Sequence, residues 1–365
     1  MIDHKLKILA IVLCASTIVF AQEPVKPVSP EGVAAQPNQV RGDEITPAQR
    51  ESVDKGLAWL ATRQAKDGSF TAGGGGGHAG ITGLAGLAFM QAGNLPGRGK
   101  YGENVSRCVD YVLTCCKESG LISSEAVGGG PMYGHGFATL FLGEVYGMTG
   151  DERVKEKLQK AIRLIERSQN AEGGWRYMPV PYDADISVTI CQVMALRAAR
   201  DAGIKVDKDV IDKSIKYVRA CQNGDGGFSY MARMAGGGGG QSGFARSAAG
   251  VSSLYYAGIF EGDDLSRGLK YIMRFLPKGA KANEEQTEGH YYYGHYYACQ
   301  AMFLAGGEYW AKWYPAIRDQ LIARQGGNGA WSGDASQDYA TSMALIILQM
   351  PNRYLPVYTG KGPGS

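Results

Sequence analysis

The sequence is short of charge and of patterned cysteine, and both shortages exclude classes of function. Charged residues are 20% of the 365 residues and leave a net charge of +3, so no basic surface for nucleic acid is indicated. The seven cysteines form no Cys-x-x-Cys pair and no dense disulfide framework. Six of them lie beyond the N-terminal segment, mostly at apolar helical positions, and we expect small buried hydrophobes whose disulfide status stays open: Cys108, Cys115, Cys116, Cys191, Cys221 and Cys299.

A hydrophobic run long enough to cross a membrane is also missing from the N-terminal segment. The apolar stretch from Ile8 to Phe20 falls short of the about 20 residues that a membrane-spanning helix needs. It follows a short basic segment and precedes Ala21, which is the arrangement of a secretory signal peptide over residues 1–21. We therefore expect export to the periplasm or the cell exterior, a Pro-rich linker over residues 22–45, and no transmembrane segment in the mature chain.

One short motif, Gln-x3-Gly-x-aromatic, recurs along the rest of the chain. Its four copies run from Gln64 to Phe70, Gln169 to Trp175, Gln222 to Phe228 and Gln325 to Trp331. The aromatic positions are 105, 53 and 103 residues apart, so the period is about 52 residues and two further units lack the motif. Periods of this length are typical of stacked helical units, and six units fit the chain.

Each unit contains two helices of different character. The first is amphipathic, as in Val53, Leu57 and Leu60 at helical spacing. The second, after the glycine-rich turn, is small or apolar on nearly every side and is therefore predicted to be buried. Six polar-faced and six buried helices in alternation predict an all-α (α/α)6 toroid over residues 46–358, followed by a flexible tail over residues 359–365. The motif aromatics are then core side chains that join one hairpin to the next.

This motif, repeated about every 50 residues between helix pairs, resembles the repeat of the prenyltransferase and squalene–hopene cyclase superfamily, whose members are terpenoid-cyclase-like toroids. The resemblance covers essentially the whole mature domain. It implies a central cavity for an isoprenoid, with either acid-catalysed cyclisation or zinc-dependent prenyl transfer.

The acid motif of the cyclases, Asp-x-Asp-Asp-Thr, has a partial counterpart in Tyr182-Asp-Ala-Asp-Ile-Ser187. Asp183 and Asp185 match its first two carboxylates, Ile186 replaces the third and Ser187 replaces the threonine. The resemblance implies that Asp183 and Asp185 are catalytic acids, which requires a carboxyl group kept protonated by burial and neighbouring charge. The alternative is that Asp185 only caps the helix that begins beside it.

The zinc-dependent branch fits less well. His295 matches the zinc histidine, but Ser242 and Phe244 stand where the resemblance places an aspartate and a cysteine. A site without two of three protein ligands does not hold zinc. We therefore expect neither a metal nor any other cofactor.

Aligning the six buried helices places several polar and aromatic residues near their N-terminal ends, at one rim of the central cavity. Helix N-termini favour anionic or polar groups, and tyrosine suits sugars or apolar ligands. We expect a ligand-binding rim formed by His78, His135, His295, Asp338, Tyr133, Tyr182, Tyr293 and Arg246.

The sequence is compatible with three functions. The first is an exported cyclase-like toroid that binds a largely apolar, isoprenoid-like ligand and has acid catalysis through Asp183 and Asp185. The second is a non-catalytic binding or scaffold toroid with a protein partner. The third is a carbohydrate-active (α/α)6 enzyme that uses His135, His295 and Asp338 on a glycan.

Overall fold

A computed structural model describes residues 44–73, 76–124, 130–232, 240–279, 289–333 and 335–359. The predicted signal peptide, all but the end of the linker, and residues 360–365 of the predicted tail lie outside these ranges. Within them the chain forms twelve α-helices: α1 Pro47–Arg63, α2 Ala79–Gln91, α3 Gly102–Thr114, α4 Met132–Thr149, α5 Glu152–Ser168, α6 Ile186–Asp201, α7 Lys208–Ala220, α8 Phe244–Tyr256, α9 Asp263–Ile272, α10 Tyr291–Ala305, α11 Gly307–Arg324 and α12 Gln337–Leu348.

The even-numbered helices form a closed inner ring. Each packs against the next even-numbered helix, and α12 returns to pack against α2. Every residue of α2 is buried, whereas α5 buries one stripe that includes Leu158 and Ile165 and exposes its charged face. The odd-numbered helices cover the ring from outside, so the predicted (α/α)6 toroid is confirmed. Within the described ranges, no helix has the length and apolarity to cross a bilayer.

The repeated turn between outer and inner helix has one backbone design. Its glycine adopts a positive φ, as at Gly173 with 101°. A Cβ on Gly173 would approach the Lys213 carbonyl oxygen to 2.2 Å, so only glycine fits between the turn and the neighbouring outer helix. The same approach recurs at the equivalent glycines: Gly68, Gly226 and Gly329.

The motif glutamine ties this turn to the next outer helix. Gln169 Nε2 donates to the carbonyl oxygen of Gly173 in its own turn at 2.9 Å and to that of Val210 in α7 at 2.8 Å. Gln64, Gln222 and Gln325 make the same pair of bonds. The motif aromatics fill the space inside the turn, and all four are at most 1% exposed: Phe70, Trp175, Phe228 and Trp331.

The second unit keeps the turn without the motif side chains. Cys116 and Ile122 occupy the glutamine and aromatic positions, and Gly120 keeps the positive φ of 89°. A Cβ on Gly120 would approach the Lys160 carbonyl oxygen to 2.3 Å, as in the other units. The backbone requirement therefore persists where the motif has disappeared. The six cysteines of the described residues are free thiols, and all but Cys116 are buried.

The C-terminal segment closes the end of the ring at which the inner helices finish. A 3-10 helix, Pro356–Thr359, packs against α6 and α10. Tyr358 is buried, with its hydroxyl 3.2 Å from that of Tyr296 in α10, and the Val357 amide lies 3.5 Å from Glu144 Oε2 in α4. Among the described residues, this segment therefore covers the centre of the toroid at the end opposite the N-termini of the inner helices.

Candidate functional site

A cavity of about 660 Å³ opens at the end of the ring where the inner helices begin. Every inner helix contributes to its wall through its first turn or the residue before it. Among the described lining residues, Leu84 and Phe137 lie furthest from the N-termini of their helices. The Phe137 ring packs edge-on against Tyr296, which contacts the C-terminal segment, with ring centroids 6.1 Å apart. The described lining consists of Ala72, His78, Gly80, Ile81, Leu84, Tyr133, Gly134, Phe137, Tyr177, Ser187, Tyr230, Ala245, Arg246, His290, Tyr293, Ala335 and Tyr339.

The lining is mainly aliphatic and aromatic, with few ionisable groups. Arg246 is its charged side chain, and His78 and His290 are the histidines. No described lining residue is Asp or Glu. Such a lining suits a largely apolar molecule that offers a small number of polar atoms.

Four of the eight expected rim residues line this cavity: His78, Tyr133, Tyr293 and Arg246. His78 is the N-cap of α2, and its Nδ1 accepts a hydrogen bond from the Ile81 amide at 3.3 Å. Burial lowers the pKa of His78, so the neutral imidazole is favoured. The Tyr293 hydroxyl donates to the Ser187 carbonyl oxygen at 2.7 Å, which fixes the ring in the wall.

His135 and His295 lie in the wall behind the cavity, contrary to their expected place at its surface. The fully buried His135 accepts a hydrogen bond on Nδ1 from the Ile122 amide at 3.1 Å. In other units a hydroxyl does this, as when Thr189 accepts from the Trp175 amide. His295 occupies the matching position in α10, packed against the Phe244 and Tyr291 rings at 4.9 and 4.5 Å. His135 therefore faces the turn of its unit rather than the lumen, and His295 is buried among aromatic rings.

Asp338 and Tyr182 also lie outside the lining. Asp338 is 2% exposed and accepts hydrogen bonds from the Thr71 amide at 3.0 Å and from Arg63 Nε at 3.4 Å. Tyr182 is 86% exposed on the loop before α6. Asp338 is therefore held between neighbouring units, and Tyr182 points to solvent. The sequence period predicts where a residue lies along a helix but not where its side chain points, so it predicts neither placement.

The two candidate acids have different surroundings. Asp185 is fully buried and caps α6, with Oδ1 accepting from the Val188 amide at 2.9 Å. Burial raises the pKa of Asp185 to about 6, although the Val188 amide, the Tyr230 hydroxyl and Arg176 favour its ionised form. Its Oδ2 has no hydrogen-bond partner among the described residues and lies 3.7 Å from Arg176 Nε. Asp183 is partly exposed and forms an ion pair with Arg176, so burial rather than a second carboxylate perturbs Asp185.

Asp185 is not among the described lining residues, but it interacts with a tyrosine that is. Tyr230 lines the cavity and interacts with the Asp185 carboxylate behind it, and its hydroxyl also contacts that of Tyr177. Tyr177 and Tyr230 each follow a motif aromatic by two residues, in the copies Gln169 to Trp175 and Gln222 to Phe228. Sequence reasoning did not single out Tyr177, although this shared offset was the available signal.

The described residues contain no group of three or more His, Cys, Asp or Glu side chains placed to hold a metal ion. At the positions expected to lack zinc ligands, the Ser242 hydroxyl bonds to Asn223 and Asp225, while Phe244 packs on the His295 ring.

The sequence matches the family described as squalene-hopene cyclase C-terminal domain over residues 139–311, just under half of the chain. This match confirms the resemblance that the repeated motif indicates. A comparison with curated proteins gave no match.

Two solved structures illustrate the shared fold. An inactive variant of the alpha-1,6-mannanase GH76A of Salegentibacter sp. HEL1_6, in complex with alpha-1,6-mannotriose, is 10% identical, with a TM-score of 0.63 over 83% of this chain and 99% of that one. The apo type II terpene cyclase MstE from Scytonema is 14% identical, with a TM-score of 0.59 over 85% of this chain and 100% of that one. At these identities the likenesses establish the fold alone. The chain is therefore a terpene-cyclase-like (α/α)6 toroid that resembles the squalene–hopene cyclase family in sequence.

Proposed function

We propose that this toroid binds a largely apolar molecule of isoprenoid size in its central cavity. The observation that carries the proposal is the lining itself: Leu84 and Phe137 at the bottom, tyrosines around the wall, and no carboxylate among the described lining residues. The cavity volume of about 660 Å³ lies within the roughly 300–1,000 Å³ typical of small-molecule sites. We further propose that the protein acts outside the cytoplasm, and the apolar N-terminal segment of the sequence supports this.

A glycan-hydrolysing function has less support. Most glycoside hydrolases need two carboxyl groups flanking the scissile bond. Asp338, the carboxylate expected for that chemistry, is engaged by Thr71 and Arg63, and it does not line the cavity. The likeness to a mannanase keeps a glycan as the alternative ligand to be tested, and a non-catalytic scaffold with a protein partner remains the alternative if no small molecule binds.

Acid catalysis is the second candidate function, and one observation favours it. The pKa of Asp185 is raised to about 6, and its Oδ2 has no hydrogen-bond partner among the described residues. A buried carboxyl group with a raised pKa is the kind of group that retains a proton for delivery. Tyr230 separates it from the lumen, so catalysis requires that this side chain move or carry the proton.

Binding is tested by native mass spectrometry of the exported protein with farnesol, squalene and alpha-1,6-mannotriose. We expect a stoichiometric complex with a polyprene and none with the trisaccharide. Ala245→Phe places a ring in the lumen and should abolish the complex. Ala171→Phe, which puts the same ring on an exposed turn, should leave it unchanged. If only mannotriose forms a complex, and Ala245→Phe abolishes it, the ligand of the cavity is a glycan and the proposal of an apolar ligand is wrong.

A further inference from the structure

Among the described inner helices, α2, α6 and α12 have a side-chain N-cap, and the cap of α2 differs from the other two in one chemical respect. His290, the N-cap residue of α10, makes no side-chain cap. Asp185 and Ser336 cap α6 and α12 with short side chains that carry oxygen. His78 caps α2 with a ring that has a second nitrogen. Because Nδ1 accepts from the Ile81 amide at 3.3 Å, it carries no proton, and the proton of the neutral ring lies on Nε2.

The edge of the imidazole that carries Nε2 lies over the first turn of α4. A Cβ on Gly134 would come within 3.0 Å of His78 Cε1 and 3.7 Å of Nε2. Gly80 packs more closely still, since a Cβ there would come within 2.6 Å of the Gly134 Cα. Glycine at both positions lets α2 and α4 approach and leaves room for the ring, and all three residues line the cavity. The cap therefore holds an N–H donor in the cavity wall.

The described lining offers further donors beside hydroxyl groups, which both donate and accept. The first turn of a helix contains amides without an intrahelical acceptor. Neither α4 nor α8 has a side-chain cap, and their first turns include the lining residues Gly134 and Ala245. Arg246 adds a positive charge to the lining. With no carboxylate among these residues, the wall offers donors and positive helix ends to whatever binds.

We propose that the ligand of this cavity is an apolar molecule ending in an acceptor oxygen group, a carboxylate in its best form, and that His78 Nε2–H is the positioning donor for that group. The apolar body then lies toward Leu84 and Phe137, with its head at the first turns of α2 and α4. This inference rests on the proposed function and adds the polarity and orientation of the ligand to it.

The test uses three molecules with one terpene chain and different ends: farnesene, farnesol and farnesoic acid. Dissociation constants are measured by tryptophan fluorescence or calorimetry. We expect farnesoic acid to bind about tenfold or more tighter than farnesene, as for a hydrogen bond to a charged group. Farnesol should lie between them.

His78→Asn keeps the cap, because asparagine is among the preferred N-cap residues, but it withdraws the ring N–H. We expect this substitution to weaken the binding of farnesoic acid about tenfold, which removes its preference over farnesene. The dissociation constant of farnesene and the melting temperature should stay nearly unchanged. His78→Ser serves the same purpose if the asparagine variant does not fold. Asp207→Asn changes the exposed N-cap of α7 in the same way and should alter no dissociation constant.

A second readout separates positioning from a structural role. The ¹⁵N resonance of His78 Nε2 should shift with farnesoic acid and not with farnesene. Equal binding of all three molecules, or a preference that survives both His78 variants, would overturn this inference alone. Failure of all three to bind would overturn the proposed function together with it.

Discussion

Thr71 and Asp338 join the two ends of the toroid across 267 positions of sequence: Asp338 Oδ2 accepts a hydrogen bond from the Thr71 amide at 3.0 Å. The Ser336 hydroxyl donates to the Thr71 carbonyl oxygen at 2.7 Å. The start of α12 therefore bonds to both the backbone amide and the backbone carbonyl of Thr71, which lies in the turn of the first unit. Arg63, at the end of α1, approaches the other oxygen of Asp338. The carboxylate therefore stabilises the closure between the first and sixth units.

Removal of this carboxylate should weaken ring closure. Asp338→Ala leaves the partly buried Thr71 amide without its charged acceptor, and we expect a loss of about 1–3 kcal/mol in the free energy of unfolding. Urea unfolding measures it. Asp110→Ala removes an exposed carboxylate that pairs with Arg153 and should cost less than about 1 kcal/mol. Equal losses for the two substitutions would show that the Thr71 contact stabilises the fold no more than an exposed ion pair does.

The motif aromatics should be large contributors to stability. Trp175 is 1% exposed, and its Nε1 donates to the Ile165 carbonyl oxygen at 2.7 Å. Trp175→Ala removes both the packing and this bond, so we expect a loss of about 3–5 kcal/mol. Tyr182→Ala deletes an aromatic ring that is 86% exposed and should stay within about 0.5 kcal/mol of the parent. Thermal and urea unfolding of the two variants would contradict this if Trp175→Ala matched the parent.

The sequence predicts the toroid well because its period, its glycines and its buried helices all depend on local chemistry. The turn approaches the neighbouring helix so closely that the position of Gly173 accepts only glycine, and the same requirement repeats in the other units. A repeated requirement of this kind can be recognised in a single sequence. The site is harder to predict. His78 and His135 both lie near the start of an inner helix, yet one faces the lumen and the other faces the turn. His78 is the N-cap of α2, whereas His135 occupies the position at which Thr82 of α2 accepts a hydrogen bond from the Phe70 amide. Which of these two positions a histidine takes depends on the residue at which its helix begins, and the pattern of apolar residues does not show that residue.

Buried histidines should make the protein sensitive to mild acid. Burial lowers the pKa of His135 to about 4, whereas histidine in the unfolded chain titrates near 6.5. Below pH 6.5 the unfolded chain therefore binds a proton that the folded chain does not, and stability falls as pH decreases towards 4. The contribution of His135 should reach about 2 kcal/mol between pH 6.5 and 5.

A variant isolates this contribution from the other titrating groups. His135→Asn places an acceptor oxygen where Nδ1 accepts from the Ile122 amide, and it does not titrate. We expect it to be less stable than the parent at pH 7 because it fills less of the wall, but to lose less stability between pH 6.5 and 5. Urea unfolding at several pH values measures both. Parallel pH profiles for parent and variant would mean that His135 is protonated equally in the folded and unfolded chains.

The last prediction concerns Asp185 and decides between an enzyme and a binding protein. The folded pKa of about 6 exceeds the ordinary 3.8, so ionisation of this buried group opposes folding as pH rises from 3.8 to 6. Asp185→Asn keeps an oxygen for the Val188 amide and abolishes that ionisation, so at pH 7 it should be at least as stable as the parent. Asp185→Ala loses the cap and should cost about 1 kcal/mol relative to the asparagine variant.

Turnover gives the functional half of the same experiment. If Asp185 delivers a proton, parent protein incubated with a panel of polyprenes should form cyclised product, faster below about pH 6 than at pH 7, because the acid form grows as pH falls through the pKa of about 6. Asp185→Asn should then bind the same polyprenes and form no product. Tyr230→Phe should also reduce the rate, since Tyr230 stands between the carboxyl group and the lumen. Polyprene binding without product at any pH would leave Asp185 as the cap of α6 and the toroid as a binding protein.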